Sequence, residues 1–103
     1  MDNIDIDQTL RGIKQCLIKH NVPEYLHPGL LLWVEHGLVP GSYMSNVLNN
    51  NLVGASRAAS GGSLAAIGPL GLVLFESVPV DAYGEKGKMA DWMKRSGLRR
   101  GRL

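Results

Sequence analysis

One arginine and the start of a helix are the residues best suited to bind an anion. Arg57 is the only charged side chain in residues 37–75, and burying such a charge without a partner is costly. Gly41 and Ser42 follow Pro40 at the expected start of a helix, where free backbone amides favour an anion. Together these residues predict a phosphate site. In the alternative interpretation, Ser42 only caps its helix and Arg57 lies at the surface.

Aromatic side chains add surfaces on which a nucleotide base could stack. The predicted ligand-binding residues are therefore Gly41, Ser42, Tyr43, Arg57, Trp33 and Tyr83. Trp92 has the same capacity to stack. Large aromatic residues also fill the cores of small domains, so a structural role is the alternative for each of them.

The C-terminal end is a second candidate for binding. Residues 1–7 carry a charge of −3, and the positive and negative side chains of residues 8–84 cancel. Residues 85–103 carry a charge of +5, which gives the net charge of +2. Such a basic segment attracts nucleic-acid phosphates through counterion release without reading sequence. The residues of this alternative site are Lys94, Arg95, Arg99, Arg100 and Arg102. A solvated chain end has the same composition, and no recognised nucleic-acid-binding motif accompanies it.

No spacing in the chain indicates enzyme chemistry. The serines have no His and Asp partners at a recognisable spacing, and residues 37–42 lack the lysine of a phosphate-binding loop. Cys16 is the single cysteine, which excludes an internal disulfide, and we predict that it is a small core residue. No two of His20, His27 and His36 have the four-residue spacing of a zinc-binding helix. We therefore expect no catalytic residue, no metal and no cofactor.

Length and hydrophobicity indicate one small domain. The chain has 103 residues, of which 45% are hydrophobic, and this is enough for a single core. The longest apolar run, residues 64–75, is shorter than the ~20 residues that span a bilayer. The acidic residues 1–7 differ from the basic and then apolar start of a secretory signal. We expect a cytoplasmic protein that has no membrane partner.

Apolar periodicity predicts a mainly α-helical fold, a compact bundle of five to six short helices. Ile6, Leu10, Ile13 and Leu17 recur at helical spacing and predict a first amphipathic helix. Further helices are predicted near residues 28–36, 43–48, 52–59, 64–77 and 86–95. For the very apolar residues 64–77 a helix is favoured, in which Pro69 must lie early or cause a kink. A buried strand at residues 71–75 is the alternative.

Glycine and asparagine mark the ends of these helices. Gly37 can take the left-handed conformation that closes a helix, so residues 37–42 are predicted to form a tight corner. The run of three asparagines at residues 49–51 offers a helix stop and a new N-cap. Gly97 would end the last helix. Residues 1–97 are then predicted to be a single helical domain, and residues 98–103 a basic mobile tail.

The middle of the chain, which is almost free of charge, predicts a homo-oligomer. Residues 37–75 are 39 consecutive positions with one charge, in a chain too short to bury them all. Obligate interfaces between subunits are strongly apolar. We expect the protein to associate with itself through part of this block.

A spaced pattern of residues resembles short helical bacteriophage and prophage proteins of uncharacterised function. It comprises Leu26-His27-Pro28-Gly29-Leu30, residues 36–43, residues 47–52, Val78-Pro79, Tyr83-Gly84 and Trp92. The resemblance implies a viral protein that acts by stoichiometric binding. The favoured function is an anti-defence sponge that sequesters a nucleotide immune signal at a subunit boundary. The alternative is a regulator that binds nucleic acid or a host protein through the basic C-terminal end.

Overall fold

The computed structural model describes residues 3–99, which fold into six α-helices with no β-strand among them. The helices are α1 (Asn3–Lys19), α2 (His27–His36), α3 (Ser42–Leu48), α4 (Leu52–Ala58), α5 (Ile67–Ser77) and α6 (Lys86–Lys94). Short 3-10 segments occur at Glu24–Leu26, Gly61–Ala66, Val80–Ala82 and Gly97–Arg99. The predicted mainly α-helical bundle is confirmed. Within residues 3–99, no helix combines the length and the hydrophobicity that a membrane span requires.

The core forms where α1 packs against both α2 and α5, while α3 packs against α4. The apolar stripe of α1 supplies Ile6, Ile13 and Leu17, which are fully buried. Other fully buried apolar side chains are Leu30, Trp33, Val34, Leu48, Leu70, Val73 and Trp92. Burial of the α1 stripe is what its helical spacing predicts.

The predicted corner after α2 is confirmed, with one correction. Gly37 has a φ of 71° and donates its N–H to the carbonyl of Trp33 at 2.8 Å, which closes α2 as expected. The predicted cap at Ser42 is wrong, because Ser42 is the first residue of α3. Gly41 is the N-cap, and its missing side chain provides no capping oxygen.

The asparagine run behaves as predicted. Asn50 has a φ of 60°, in the left-handed region that Asn tolerates. The side-chain oxygen of Asn51 accepts the N–H of Gly54 at 2.9 Å and caps α4. Two consecutive asparagines therefore turn the chain and restart it as a helix.

Residues 67–77 are helical, so the alternative of a buried strand at residues 71–75 is wrong. Pro69 is the third residue of α5, where its missing N–H would have no partner within the helix. The expectation that Pro69 lies early in the helix is confirmed. The preceding segment, Gly61–Ala66, is a 3-10 helix.

Two indole N–H groups connect α2 to the C-terminal part of the chain. Trp33 donates to the carbonyl of Ala82 at 2.8 Å, and Trp92 donates to the carbonyl of Trp33 at 2.9 Å. Both bonds are buried, so losing either would leave a polar group unpaired. These bonds anchor α6 on the end of α2.

The prediction of a mobile tail over residues 98–103 is wrong for its first two residues. Leu98 is buried, and the guanidinium of Arg99 donates to Glu35 at 2.6 and 2.9 Å. Arg99 also lies 3.5 Å from Asp7. Apolar burial and two carboxylates therefore hold this segment on the domain. Residues 100–103 lie outside the described part of the chain.

Candidate functional site

Three of the predicted ligand-binding residues line one groove. The groove has a volume of about 340 Å³. Its lining residues are Tyr25, Leu26, Gly29, Pro40, Gly41, Ser42, Tyr43, Met44 and Ala58. Tyr25 is exposed and its hydroxyl lies 2.7 Å from that of Ser63, so its ring is the aromatic surface most accessible in this groove.

The predicted aromatic residues do not converge on that groove. Trp33 is fully buried, so the prediction that it stacks on a base is wrong, and the same is true of Trp92. Tyr43 is also buried, its hydroxyl donates to the carbonyl of Ser63 at 2.5 Å, and burial raises its pKa. Tyr83 lines a different groove. The rings of Trp33, Tyr43 and Trp92 therefore fill the core instead of lining a ligand site.

Arg57 lies in the last turn of α4 and is exposed. Water therefore solvates its charge. Arg57 is not a buried charge in need of a partner, and its position at the surface agrees with the alternative interpretation. Its neighbour Ala58 lines the groove with Gly41 and Ser42. The helix that begins at Ser42 has seven residues, so its dipole adds little attraction for an anion.

The basic end is only partly available to a nucleic acid. Arg95 stacks on the Trp92 ring at 4.5 Å and donates to the Gly97 carbonyl, and Arg99 pairs with Glu35. Lys94 is exposed. Arg100 and Arg102 lie outside the described residues. Two of the five predicted cations thus have roles in packing.

The outer side of α5 presents an uncharged apolar surface. Gly68, Gly71, Leu72 and Phe75 are spaced to share one side of the helix, and all four are exposed. Phe75 is 81% exposed and Leu72 is 49% exposed. These four residues are called the α5 face below. None of the four residues carries a charge, and two large apolar side chains lie one turn apart on this face.

A groove of about 290 Å³ adjoins the α5 face. It is lined by Val47, Asn50, Asn51, Leu52, Ala55, Ile67, Gly71, Leu74, Tyr83 and Gly84, and is called the α4/α5 groove below. Its exposed wall area is mostly apolar, and Gly71 belongs to both the groove and the α5 face. A protruding side chain and a concave apolar site therefore lie side by side on one molecule.

A cluster of polar side chains joins the end of α1 to the end of α5. The Cys16 sulfur lies 3.8 Å from Oε1 of Glu76, and Nε2 of His20 lies 2.8 Å from Oε2 of the same carboxylate. Within residues 3–99, this trio is the only group of three Cys, His, Asp or Glu side chains close enough to share a metal ion. His27 is elsewhere, buried between the Val22 carbonyl and the Lys14 ammonium.

Two basic side chains share the carboxylate of this cluster. Lys19 donates to Oε1 of Glu76 at 3.0 Å. The hydrogen bonds from Lys19 and then His20 lower the pKa of Glu76, and the bond to Glu76 raises the pKa of Lys19. Glu76 therefore stays ionised, and its negative charge faces the Cys16 sulfur.

Sequence reasoning missed this cluster because it compared only histidines with one another. Cys16 and His20 have the four-residue spacing that places two ligands on one side of a helix. Glu76 is 56 residues beyond His20 and is brought close only by the packing of α1 on α5. The spacing of Cys16 and His20 was thus the one local indication of this cluster in the sequence.

Comparison of the chain with models of protein families, with curated proteins and with solved structures gives no match.

Proposed function

We propose that this protein acts by binding rather than by catalysis, and that it associates with itself through the α5 face. The observation that carries the proposal is Phe75, a large aromatic residue of the α5 face that is 81% exposed. Exposing such a ring to water costs about 1.5–3 kcal/mol relative to burying it. A partner that covers Phe75 recovers this free energy.

The occupant that best fits the α5 face is a second copy of the same chain. Across a two-fold axis, Phe75 of each copy can enter the α4/α5 groove of the other, because a two-fold interface pairs each surface with itself. Both the protruding ring and the groove are apolar. Neither Phe75 nor any groove residue carries a charge, so the contact between the ring and the groove itself buries no charge.

The glycines of α5 support this arrangement. A β-carbon on Gly68 or Gly71 would meet no atom within 4 Å, so nothing in the monomer requires glycine there. Glycine in a helix costs roughly 0.5–1 kcal/mol relative to alanine. A close approach by another helix explains why both positions lack a side chain.

The oligomeric state tests this proposal. In a sedimentation-equilibrium series from low to high micromolar protein, we expect a dimer. Native mass spectrometry of protein purified from infected cells would give the number of subunits and the mass of any retained small molecule or host protein. A monomer throughout the sedimentation series contradicts the proposal. A complex with a host protein but never with itself would assign the α5 face to that partner instead.

A narrower form of the proposal is an anti-defence sponge of phage type that holds a nucleotide immune signal. The groove beside Gly41 and Ser42 supports it, because the exposed Tyr25 ring provides a surface on which a base can stack. Arg57 does not line the groove, but it precedes Ala58 of the groove wall and is exposed, so we propose that its long side chain reaches a phosphate bound there. This groove shares no lining residue with the α5 face or the α4/α5 groove, so nucleotide binding and self-association use separate surfaces.

Calorimetric titration with linear and cyclic nucleotides tests the sponge. Charge-assisted hydrogen bonds contribute about 1.5–3 kcal/mol, so Arg57→Ala should weaken nucleotide binding by about tenfold or more. Arg11 is an exposed arginine of α1, and Arg11→Ala is the matched control. If Arg57→Ala leaves nucleotide binding unchanged, Arg57 is not part of the site. Self-association is tested separately, by sedimentation equilibrium.

The alternative function, a regulator that binds nucleic acid or a host protein through the basic end, is supported by the exposed Lys94 and by the charge of +5 in residues 85–103. Filter binding over a range of salt concentrations tests it. Replacing Lys94, Arg100 and Arg102 with glutamine should weaken nucleic-acid binding and flatten its salt dependence. Under the sponge proposal, the same variant keeps its affinity for nucleotide.

A further inference from the structure

We infer that Cys16, His20 and Glu76 form a binding site for a zinc-type divalent metal ion, which would link the last turn of α1 to the last turn of α5. This inference is independent of the proposed self-association. It depends on three side chains of different chemistry that converge from two helices.

The geometry of the three side chains suits a tetrahedral ion. Their ligand atoms all lie within 4.8 Å of one another. From metal–ligand bonds of roughly 2.0–2.3 Å at tetrahedral angles, two ligand atoms on one zinc ion are about 3.3–3.8 Å apart. The Cys16 sulfur is 3.8 Å from Oε1 of Glu76, which is within this range. Nε2 of His20 is 2.8 Å from Oε2 of Glu76, so these two side chains would move apart to admit an ion.

The backbone holds two of these ligands in register. The N–H of His20 donates to the carbonyl of Cys16 at 3.0 Å, which continues the helical hydrogen-bond pattern one residue beyond α1. Cys16 and His20 therefore lie one turn apart on the same side. Glu76 reaches them from α5, which packs on α1.

The donor set identifies the class of metal. A thiolate, an imidazole and a carboxylate together favour zinc or a similar borderline-soft ion over magnesium or calcium, which prefer all-oxygen sites. A divalent ion with one thiolate and one carboxylate gives a neutral site. On binding, the S–H proton of Cys16 passes to solvent and the sulfur electron pair forms the metal bond.

The site is accessible from solvent. A groove of about 590 Å³ borders it, and Cys16, Lys19, Glu76 and Ser77 are among the lining residues. This groove gives an ion an entry path and leaves its fourth position to water or another small ligand. The Lys19 side chain, 67% exposed, would leave Glu76 and move into solvent when the ion binds.

Titration of the reduced, chelator-treated protein with Co²⁺ and with Zn²⁺ tests the inference. Cobalt should bind one per chain, with the thiolate charge-transfer absorption and the strong visible bands of a tetrahedral site, and Zn²⁺ should displace it. Cys16→Ser should abolish the charge-transfer absorption. His20→Ala and Glu76→Gln should each weaken binding by about tenfold or more, because changes even outside the ligand shell often cost that much.

Two variants separate a metal site from a structural cluster. Lys19→Gln should bind cobalt as tightly as the wild type or more tightly, because it removes a competitor for Glu76. His36→Ala, which changes a histidine of α2, should leave binding unchanged. Absence of the charge-transfer absorption at millimolar Co²⁺ overturns the inference. So does binding that His20→Ala and Glu76→Gln do not weaken, since that outcome would mean an ion held by the thiol alone.

Discussion

Gly37 and Gly97 meet backbone to backbone, so that a β-carbon on Gly97 would lie 2.7 Å from the amide nitrogen of Gly37. Both glycines have positive φ angles, 71° and 63°. A β-carbon on Gly37 would in turn lie 2.9 Å from the carbonyl oxygen of Trp92. The end of α2 and the segment after α6 can therefore approach this closely only without side chains, and the approach places Arg99 beside Glu35.

Replacement of Gly97 by alanine should destabilise the fold strongly. The change adds strain at a positive φ angle, and it places the new carbon 2.6 Å from the carbonyl oxygen of Val34. We expect a loss of at least about 2 kcal/mol in the free energy of unfolding, measured by urea denaturation. Gly84→Ala is the control, because Gly84 also has a positive φ angle but open surroundings. A loss of about 1 kcal/mol or less for Gly97→Ala, which the positive φ angle alone would explain, would mean that the close approach contributes nothing.

Arg99→Gln should reduce stability although Arg99 lies in a basic segment. It removes the ion pair that Arg99 makes with Glu35 at 2.6 Å and leaves a half-buried carboxylate without its cation. We expect a cost of about 1–3 kcal/mol in urea denaturation. Lys94→Gln, at an exposed position, should change stability by less than about 0.5 kcal/mol. If both substitutions are neutral, Arg99 does not hold the C-terminal segment on the domain.

Asn51→Ala should weaken the start of α4. It removes the side-chain oxygen that accepts the Gly54 N–H, and loss of an N-cap costs about 0.5–2 kcal/mol. Asn50→Gly is the paired control, since glycine adopts the positive φ angle of Asn50 without strain. We expect thermal unfolding to show a lower Tm for Asn51→Ala and an unchanged or higher Tm for Asn50→Gly. The reverse order would contradict the capping role.

Gly71→Ala should have opposite effects on folding and on association. Because a β-carbon at position 71 meets nothing in the monomer, alanine should stabilise the isolated chain by roughly 0.5–1 kcal/mol. The same carbon would obstruct a second helix and weaken the dimer. Unfolding measured at dilute, monomeric protein and sedimentation at higher concentration separate the two effects. Gly12→Ala, in an open position on α1, should stabilise the chain and leave association unchanged.

Features encoded by neighbouring residues could be predicted from the sequence. The stop at Gly37, the asparagine cap of α4 and the early Pro69 of α5 each depend on backbone geometry that a few adjacent residues decide. The amphipathic stripe of α1 likewise follows from its own spacing. These local signals were sufficient for the helical fold class.

Features that depend on distant residues could not be predicted in this way. Glu35 and Arg99 are 64 residues apart in the sequence. Because no nearby carboxylate indicated a partner for Arg99, the basic C-terminal segment was interpreted as a solvated chain end. Trp33 lies in a helix that is apolar on nearly all sides, and no periodicity indicated which side is buried. The carboxylate that completes the cluster of Cys16 and His20 comes from α5. Only the packing of the helices brings these groups together.

Sedimentation equilibrium of the Phe75→Ser variant beside the wild type is the most direct test of self-association through the α5 face. Ile18→Ser is the matched control, because Ile18 is 59% exposed but belongs to α1. The account predicts a dimeric wild type, a dimeric Ile18→Ser variant and a Phe75→Ser variant that is monomeric at the same micromolar concentration. A monomeric wild type, or a Phe75→Ser variant that dimerises as tightly as the wild type, would contradict it.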